Sequence, residues 1–489
     1  MSEAAGTGVA VEEVQSRAEQ KAAPLYAGRV EVYAKAVRGT FRNVKWAALI
    51  VLLGIYYLVP WIRYDRGPEG PDQAVLVDMG AGRLYFFWIE IWPQEVYFLT
   101  GILILASFAL FLATALFGRV WCGFACPQTV WTDLYMMVER WLEGDRNQRI
   151  KFDKAPWTQD KIIRRSAKHA IWLFIAFWTG GAWIMYFNDA PTITVDFWTG
   201  HASLTVYFFI GLFTATTYLL AGHAREQVCT YMCPWPRIQG ALVDQDTMAV
   251  TYEEWRGEPR GKHKKGTSWE IRGHCVDCKQ CVAVCPMGID IRDGFQLECI
   301  GCGLCIDACD GVMDKLGLPP KLISYESERN LSQAAAGESR SWRLIRPRTV
   351  LYYVLIPLVV IAMLSQLFLR ATSDVNILHD RNPLFVTMSD GSIRNGYTFK
   401  ILNKERRDRV FAVTVEGLDG LLISRRGTLS PPSEALLMIA PPDGIGNHKI
   451  FLQAPRAALT SAETTIDFVL VDQRGDTQRH KSIFRGPDQ

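Results

Sequence analysis

Apolar residues crowd into five windows of this chain: Asn43–Ile62, Val96–Phe117, His169–Phe187, Ala202–Gly222 and Thr349–Leu369. Each is close to the length at which a helix crosses a bilayer, about 20 residues at roughly 1.5 Å apiece. The pattern predicts five spanning helices. Lys45, near the start of the first, is expected to lay its stem along the helix and keep its ammonium at the interface. After the fifth window the period changes from helical to two. In "YTFKILNK", Tyr397, Phe399 and Ile401 alternate with Thr398 and Lys400, and "ETTIDFVLVDQ" puts Ile466, Phe468 and Leu470 on one face. With "RVFAVTVEGL" and "EALLMIAPP" between them and turn residues separating the runs, residues 370–489 read as a small antiparallel, immunoglobulin-like β-sandwich.

The polar stretches divide the rest. Residues 1–42 are Ala-rich and polar, expected to be disordered or at most a surface helix, and no apolar window has the cleavage site of a signal peptide. Four windows fall within 43–222, together with a turn-rich "RGPEGPD", an aromatic "LYFFWIEIWP" suited to the interface, and the amphipathic "TVWTDLYMMVERWLEG". A polar segment, 223–268, leads into a cysteine-rich insert, 269–320. A linker, 321–348, then reaches the last window at 349–369. The "GKHKKG" run reads as a solvated or lipid-facing loop.

Composition supports a membrane protein of several units: 489 residues, 49% apolar, with 16 Trp. The net charge of +3 is too small to suggest nucleic acid as a partner. Its distribution is more informative. Arg29, Lys35, Arg38 and Arg42 precede the first window, and Arg140, Arg149, Lys151, Lys161, Arg165 and Lys168 lie between the second and third. Residues 188–201 have neither Lys nor Arg. The basic side faces the cytoplasm. The amino terminus and the insert are therefore expected inside, and the sandwich outside.

The 12 cysteines fall into groups without remainder. "CVDCKQCVAVCP" holds Cys275, Cys278, Cys281 and Cys285, and "CIGCGLCIDACD" holds Cys299, Cys302, Cys305 and Cys309. Both have the C-x2-C-x2-C-x3-C spacing of bacterial two-cluster ferredoxins, in which the fourth cysteine ligates the other cluster. Three thiolates on one tight loop reach three iron corners, and the last comes from the following helix. This predicts one [4Fe–4S] cluster on Cys275, Cys278, Cys281 and Cys309, and a second on Cys299, Cys302, Cys305 and Cys285. Zinc ribbons use pairs of cysteines, and disulfides do not suit the cytoplasmic side. Asp310 stands where such runs usually carry proline, which is not a ligand.

The remaining thiols form a short repeat. "CGFACP" (Cys122, Cys126) follows the second window and "CTYMCP" (Cys229, Cys233) follows the fourth. The residue before proline avoids helical geometry, so a break with Pro127 opening a new helix is expected. If the hairpins pack side by side, the four thiols make one soft donor set, of the kind that selects Cu(I), zinc or iron–sulfur centres. A buried packing role is the plain alternative. His169 and His223 read as interfacial residues, and no histidine lies mid-span to ligate a bilayer haem. Met388, Met438, His379 and His448 read as sandwich core or surface.

This order of parts resembles the CcoG/RdxA/FixG family of accessory proteins for cbb(3)-type cytochrome oxidase, over nearly the whole chain. The resemblance implies a multi-pass protein of the bacterial inner membrane with a periplasmic immunoglobulin-like domain. It also implies reduction of Cu(II) to Cu(I), with two [4Fe–4S] clusters as cofactors and copper as a candidate at Cys122, Cys126, Cys229 and Cys233. Copper-delivery or oxidase-assembly proteins, and an unidentified cytoplasmic electron donor, are the implied partners. An electron relay serving quinone and a non-catalytic assembly scaffold are the competing expectations.

Overall fold

The computed structural model describes residues 31–67, 70–262, 269, 272–427, 433–459 and 461–487. The expectations for residues 1–30 and for most of "GKHKKG" lie outside this set. The chain divides into two compact units, one of 1–62 and 74–356, the other of 63–73 and 357–489.

Among the described residues, four helices are both long and apolar enough to cross a membrane: Thr40–Trp61, Pro93–Phe117, Leu204–Ala224 and Pro347–Leu369. They match four of the five apolar windows. The other window lies on a 27-residue helix, Gln159–Met185, whose apolar stretch is diluted by Trp172, Trp178, Thr179, Gly180, Gly181 and Trp183. That helix packs closely on two of the four. Tyr56 donates a hydrogen bond to the Thr179 carbonyl at 2.8 Å, and the Tyr57 hydroxyl lies 2.8 Å from Thr179 Oγ1. A Cβ on Gly180 would stand 2.9 Å from the Ile210 carbonyl oxygen, so only glycine allows this approach.

Lys45 departs from expectation. It is buried, with Nζ 4.0 Å from Asp133, and Arg42 is 2.9 Å from the same carboxylate. A partner on the neighbouring Pro127–Glu143 helix replaces the interfacial water that the sequence suggested. The aromatic stretch before the second span also differs. It folds into a three-stranded antiparallel meander, Val75–Asp78, Arg83–Phe86 and Ile89–Ile91.

The cysteine-rich insert is closed by two antiparallel strands, Ala249–Tyr252 and Ile323–Glu326. They bracket the helices Gln280–Val284 and Leu304–Leu316, and Val250, Ile291, Ile306, Met313 and Ile323 form a core with Cys275 and Cys281. The insert is tied to the first span. Both carboxylate oxygens of Asp307 cap the start of the Thr40–Leu58 helix, accepting from the amides of Phe41 at 3.1 Å and Arg42 at 2.8 Å. Lys35 adds a backbone bond to Ala283 at 2.8 Å and a side-chain bond to Gln280 at 2.9 Å.

In the second unit, two antiparallel sheets share one core. One runs Leu422–Arg425, Gly444–Ala454, Ile393–Asn403, Ser373–His379, and the other Ala435–Ala440, Arg409–Glu416, Glu463–Asp472, Thr477–Arg485. Tyr397, Phe399 and Ile401 from the first meet Phe411, Ile466, Phe468 and Leu470 from the second. Met438 is buried in this core. His448 bonds the Ile439 carbonyl at 2.9 Å and His379 bonds Asn395 at 2.7 Å.

Candidate functional site

The two cysteine loops of the insert have the same winding. Asp277 and Lys279 sit at φ 51° and 53°, and their counterparts 24 positions on, Gly301 and Gly303, at φ 66° and 70°. Alternate left-handed residues turn three closely spaced thiols towards one side. The fourth thiol of each run crosses over. Cys309 acts electrostatically on Cys281, Cys278 and Cys275, whereas Cys285 acts on Cys302 and Cys299. One cavity is lined by Cys281, Cys285, Cys299, Cys302 and Cys305, with Ile289, Ile291 and Leu304 around them.

These thiols are costly to ionise unaided. Burial pushes Cys309 and Cys285 up to about 12, pushes Cys281 and Cys299 up to about 11, and raises Cys305 well above the ordinary thiol value. A metal centre that neutralises thiolates as it binds suits such a pocket. Among the described residues, no three His, Cys, Asp or Glu side chains converge as the ligands of one ion would. A tetrahedral zinc needs that convergence. A cubane does not, since each thiolate takes a different iron.

Charge is arranged around the first set. The Arg292 guanidinium, only 4% exposed, lies 3.9 Å from Cys275 Sγ and is held by Asp277 at 2.7 Å and Asp290 at 2.6 Å. A cation there favours the more negative, reduced state of a centre bound to Cys275. Arg292→Gln is expected to lower the midpoint potential of that centre by some tens of millivolts, about 59 mV being a tenfold shift for one electron. A redox titration followed by EPR measures it, and an unchanged potential would deny Arg292 this influence.

The membrane-edge thiols sit on two matching turns. Trp121–Ala125 and Val228–Met232 each form one π-helical turn, closed by the Cys126 amide on the Trp121 carbonyl and the Cys233 amide on the Val228 carbonyl, both at 2.8 Å. Such turns are frequent at functional sites. Cys126 and Cys233 then leave in extended geometry, with ψ 127° and 123°, and a helix does begin at Pro127. Cys122 acts electrostatically on Cys126, Cys229 and Cys233, and Cys229 on Cys126 and Cys233. The two turns are also joined by geometry: Gln128 donates to the carbonyls of Leu220 at 2.8 Å and Arg225 at 3.3 Å, and Cys229 lines a cavity with Gln128 and Thr129, so the four thiols occupy one neighbourhood. Burial pushes Cys122 up to about 12 and Cys229 up to about 11.

This neighbourhood abuts the insert. A Cβ on Gly123 would lie 2.8 Å from the Gly301 carbonyl oxygen, 2.9 Å from that of Ile300 and 3.0 Å from Cys302 Cα. Cys122 packs on the cluster formed by Val284, Ile300, Cys302 and Leu304. Arg119 joins the two parts, donating to the carbonyls of Leu297, Cys299 (3.1 Å) and Pro236 (2.8 Å) while facing Cys122 and Cys229 electrostatically.

Two features had no signal in the sequence. His169 and His223 form a stacked pair, with ring centroids 5.8 Å apart and planes 13° apart, and His169 Nδ1 lies 2.9 Å from the Tyr218 hydroxyl. Glu139 is buried among Arg149 (2.6 Å), Lys168 (3.7 Å) and Arg225. Glu139 lies in the amphipathic "TVWTDLYMMVERWLEG" stretch, and its partners lie outside that stretch.

Comparison with known proteins agrees with this division. A family profile described as "4Fe-4S dicluster domain" matches residues 224–328, one described as "4Fe-4S binding domain" matches 98–146, and one described as "IG-like fold at C-terminal of FixG" matches 363–487. The chain is 48% identical to "Nitrogen fixation protein FixG" of Rhizobium meliloti, over 92% of this chain and 91% of that protein. It is 46% identical to "Protein RdxA" of Cereibacter sphaeroides, over 95% and 99%. Among solved structures, a FixG-related protein from Vibrio parahaemolyticus is 28% identical over 24% of this chain and 96% of its own, with a TM-score of 0.19.

Proposed function

Because this chain belongs to the FixG/RdxA family of membrane iron–sulfur proteins, we propose that it is an electron-transfer protein that reduces Cu(II) to Cu(I) for assembly of a cbb(3)-type cytochrome oxidase. One observation carries the reading. The turn bearing Cys122 and Cys126 lies against the loop bearing Cys299 and Cys302, with only the hydrogen of Gly123 between the two backbones.

Cys275, Cys278, Cys281 and Cys309 would hold one [4Fe–4S] cluster, and Cys299, Cys302, Cys305 and Cys285 the other. Bound there, such clusters supply one-electron transfer at low potential. The chain's own residues provide the rest. Asp307 fixes the insert to the first span, Val284, Ile300 and Leu304 keep water from the path, and Arg119 offsets the negative charge of the membrane-edge thiols. The copper substrate gains one electron from a cytoplasmic donor. Soft sulfur ligands favour the Cu(I) product over Cu(II), so product binding adds to the driving force.

Topology follows the same reading. The Gln159–Met185 helix serves as the fifth span, since it runs against both the Thr40–Trp61 and Leu204–Ala224 helices. Five spans, with Arg140 to Lys168 inside, put the insert in the cytoplasm and the carboxyl-terminal domain in the periplasm of a bacterial inner membrane. There the outer domain is placed to meet copper-delivery or oxidase-assembly proteins.

Reduced, iron-loaded protein given Cu(II) and a Cu(I)-specific chelator under anaerobic conditions should yield chelated Cu(I). Cys122→Ala combined with Cys126→Ala should bring the rate down to that of reductant alone. An unchanged rate would remove the thiols from the path. One cavity favours a second reading, in which a membrane quinol is the donor. Tyr56, Trp131, Thr179, Trp183 and Phe213 line it beside Pro127 and Gln128, adjacent in sequence to Cys126. In the same assay, quinol as the sole reductant should then sustain Cu(I) formation, and failure to do so rejects this source.

A further inference from the structure

We infer that Cys122, Cys126, Cys229 and Cys233 together hold a third [4Fe–4S] cluster, shared between the two membrane-edge turns. The inference rests on the chain being an iron–sulfur protein, but not on copper being the acceptor.

Ligand supply points to it first. Residues 98–146 match a 4Fe–4S binding profile, yet that segment has only two cysteines, Cys122 and Cys126. A cubane on cysteine ligands alone takes four. The other cysteines number ten, all within the dicluster match at 224–328. Eight of those are claimed by the two ferredoxin runs, and the two left over are Cys229 and Cys233. The segment 98–146 completes a cluster only by sharing them.

The geometry agrees. Both pairs lie on π-turns of the same form, closed by the same amide-to-carbonyl bond, and end in the same extended cysteine. Each turn contributes two thiols to the common neighbourhood, as a two-half site requires. The surroundings suit a sulfur cluster as well, because Arg119 brings a positive charge to the thiols.

Position then gives the cluster a role. The Gly123 contact sets it against the Cys299–Cys302 loop, while Cys233 is exposed. Electrons arriving through the insert would leave at this exposed corner, one at a time, to an acceptor in solution or at the membrane surface.

Iron and acid-labile sulfide analysis of the full chain, purified anaerobically in detergent, tests this, with EPR of the reduced state. The wild type should contain about twelve iron atoms per chain, four for each cubane. Cys122→Ser with Cys126→Ser, and separately Cys229→Ser with Cys233→Ser, should each fall to about eight and lose the same EPR signal. Retention of the other two signals shows that each variant has folded. If one pair disturbs its own cluster assembly, the other pair, about a hundred residues away in the chain, still gives the result. About eight irons in the wild type and in both variants overturns the third cluster but leaves the proposed electron transfer standing. One bound copper at these thiols beside about eight irons also overturns it. Zinc or no iron in the insert would overturn both readings together.

Discussion

Replacing Gly123 with valine is expected to slow the proposed Cu(II) reduction by about 10²-fold while leaving the iron content of the insert unchanged. The added Cβ meets two carbonyl oxygens and a Cα, at 2.8 to 3.0 Å, and none of these is the movable end of a side chain. The insert must then shift as a body away from the turn that carries Cys122 and Cys126. A displacement near 1 Å in a positioned site costs about two orders of magnitude in rate. Gly181→Val is the control, because a Cβ there has nothing within 4 Å. Single-turnover mixing of pre-reduced protein with Cu(II) and chelator reads the rate. If Gly123→Val keeps the wild-type rate, electrons do not pass at this contact.

The largest stability effect is expected at Glu139. Glu139→Gln leaves Arg149 and Arg225 buried without their common anion, while Lys168 keeps Glu143 at 2.8 Å, and breaking such a buried pair costs about 3–5 kcal/mol. Burial by itself would raise the Glu139 carboxyl, but Arg225, Arg149 and Lys168 outweigh it and hold the group below the usual carboxylate range. A carboxyl depressed on folding stabilises the protein above its unfolded value and loses that contribution as pH falls through the lower, folded value. The loss in Glu139→Gln should therefore be full at neutral pH and shrink only under strong acid. Thermal unfolding in detergent measures it. Arg164→Gln removes an exposed ion pair to Asp160 and should cost no more than about 0.5 kcal/mol. Equal melting temperatures for the two variants would mean that the buried network carries no such weight.

How far the sequence could be read depended on how local each signal was. The cysteines of each ferredoxin-like run are separated by only two or three residues, so the run is visible in one short stretch. The period of two after residue 370 anticipated strands that the second unit contains. Hydropathy was less decisive where residues of middling polarity accumulate, as at Trp178 to Trp183. There the helix packs against Tyr56 and Ile210, but its composition falls short of a membrane span. Three strands within Val75–Ile91 went unread because they are only three or four residues long and sit among aromatics that suggest an interface. Long-range pairings were silent altogether. Nothing near Lys45 announces Asp133, and nothing near Gly123 announces Gly301.

The Asp307 cap has a consequence for biogenesis. The amides of Phe41 and Arg42 wait for an acceptor that lies 266 and 265 positions further along the chain. A nascent polypeptide therefore inserts its first hydrophobic segment with that end unfinished. Only when the distal cysteine motif has been translated and has closed does the beginning of the protein acquire its last hydrogen bonds, so the earliest part to be made is among the last to be completed.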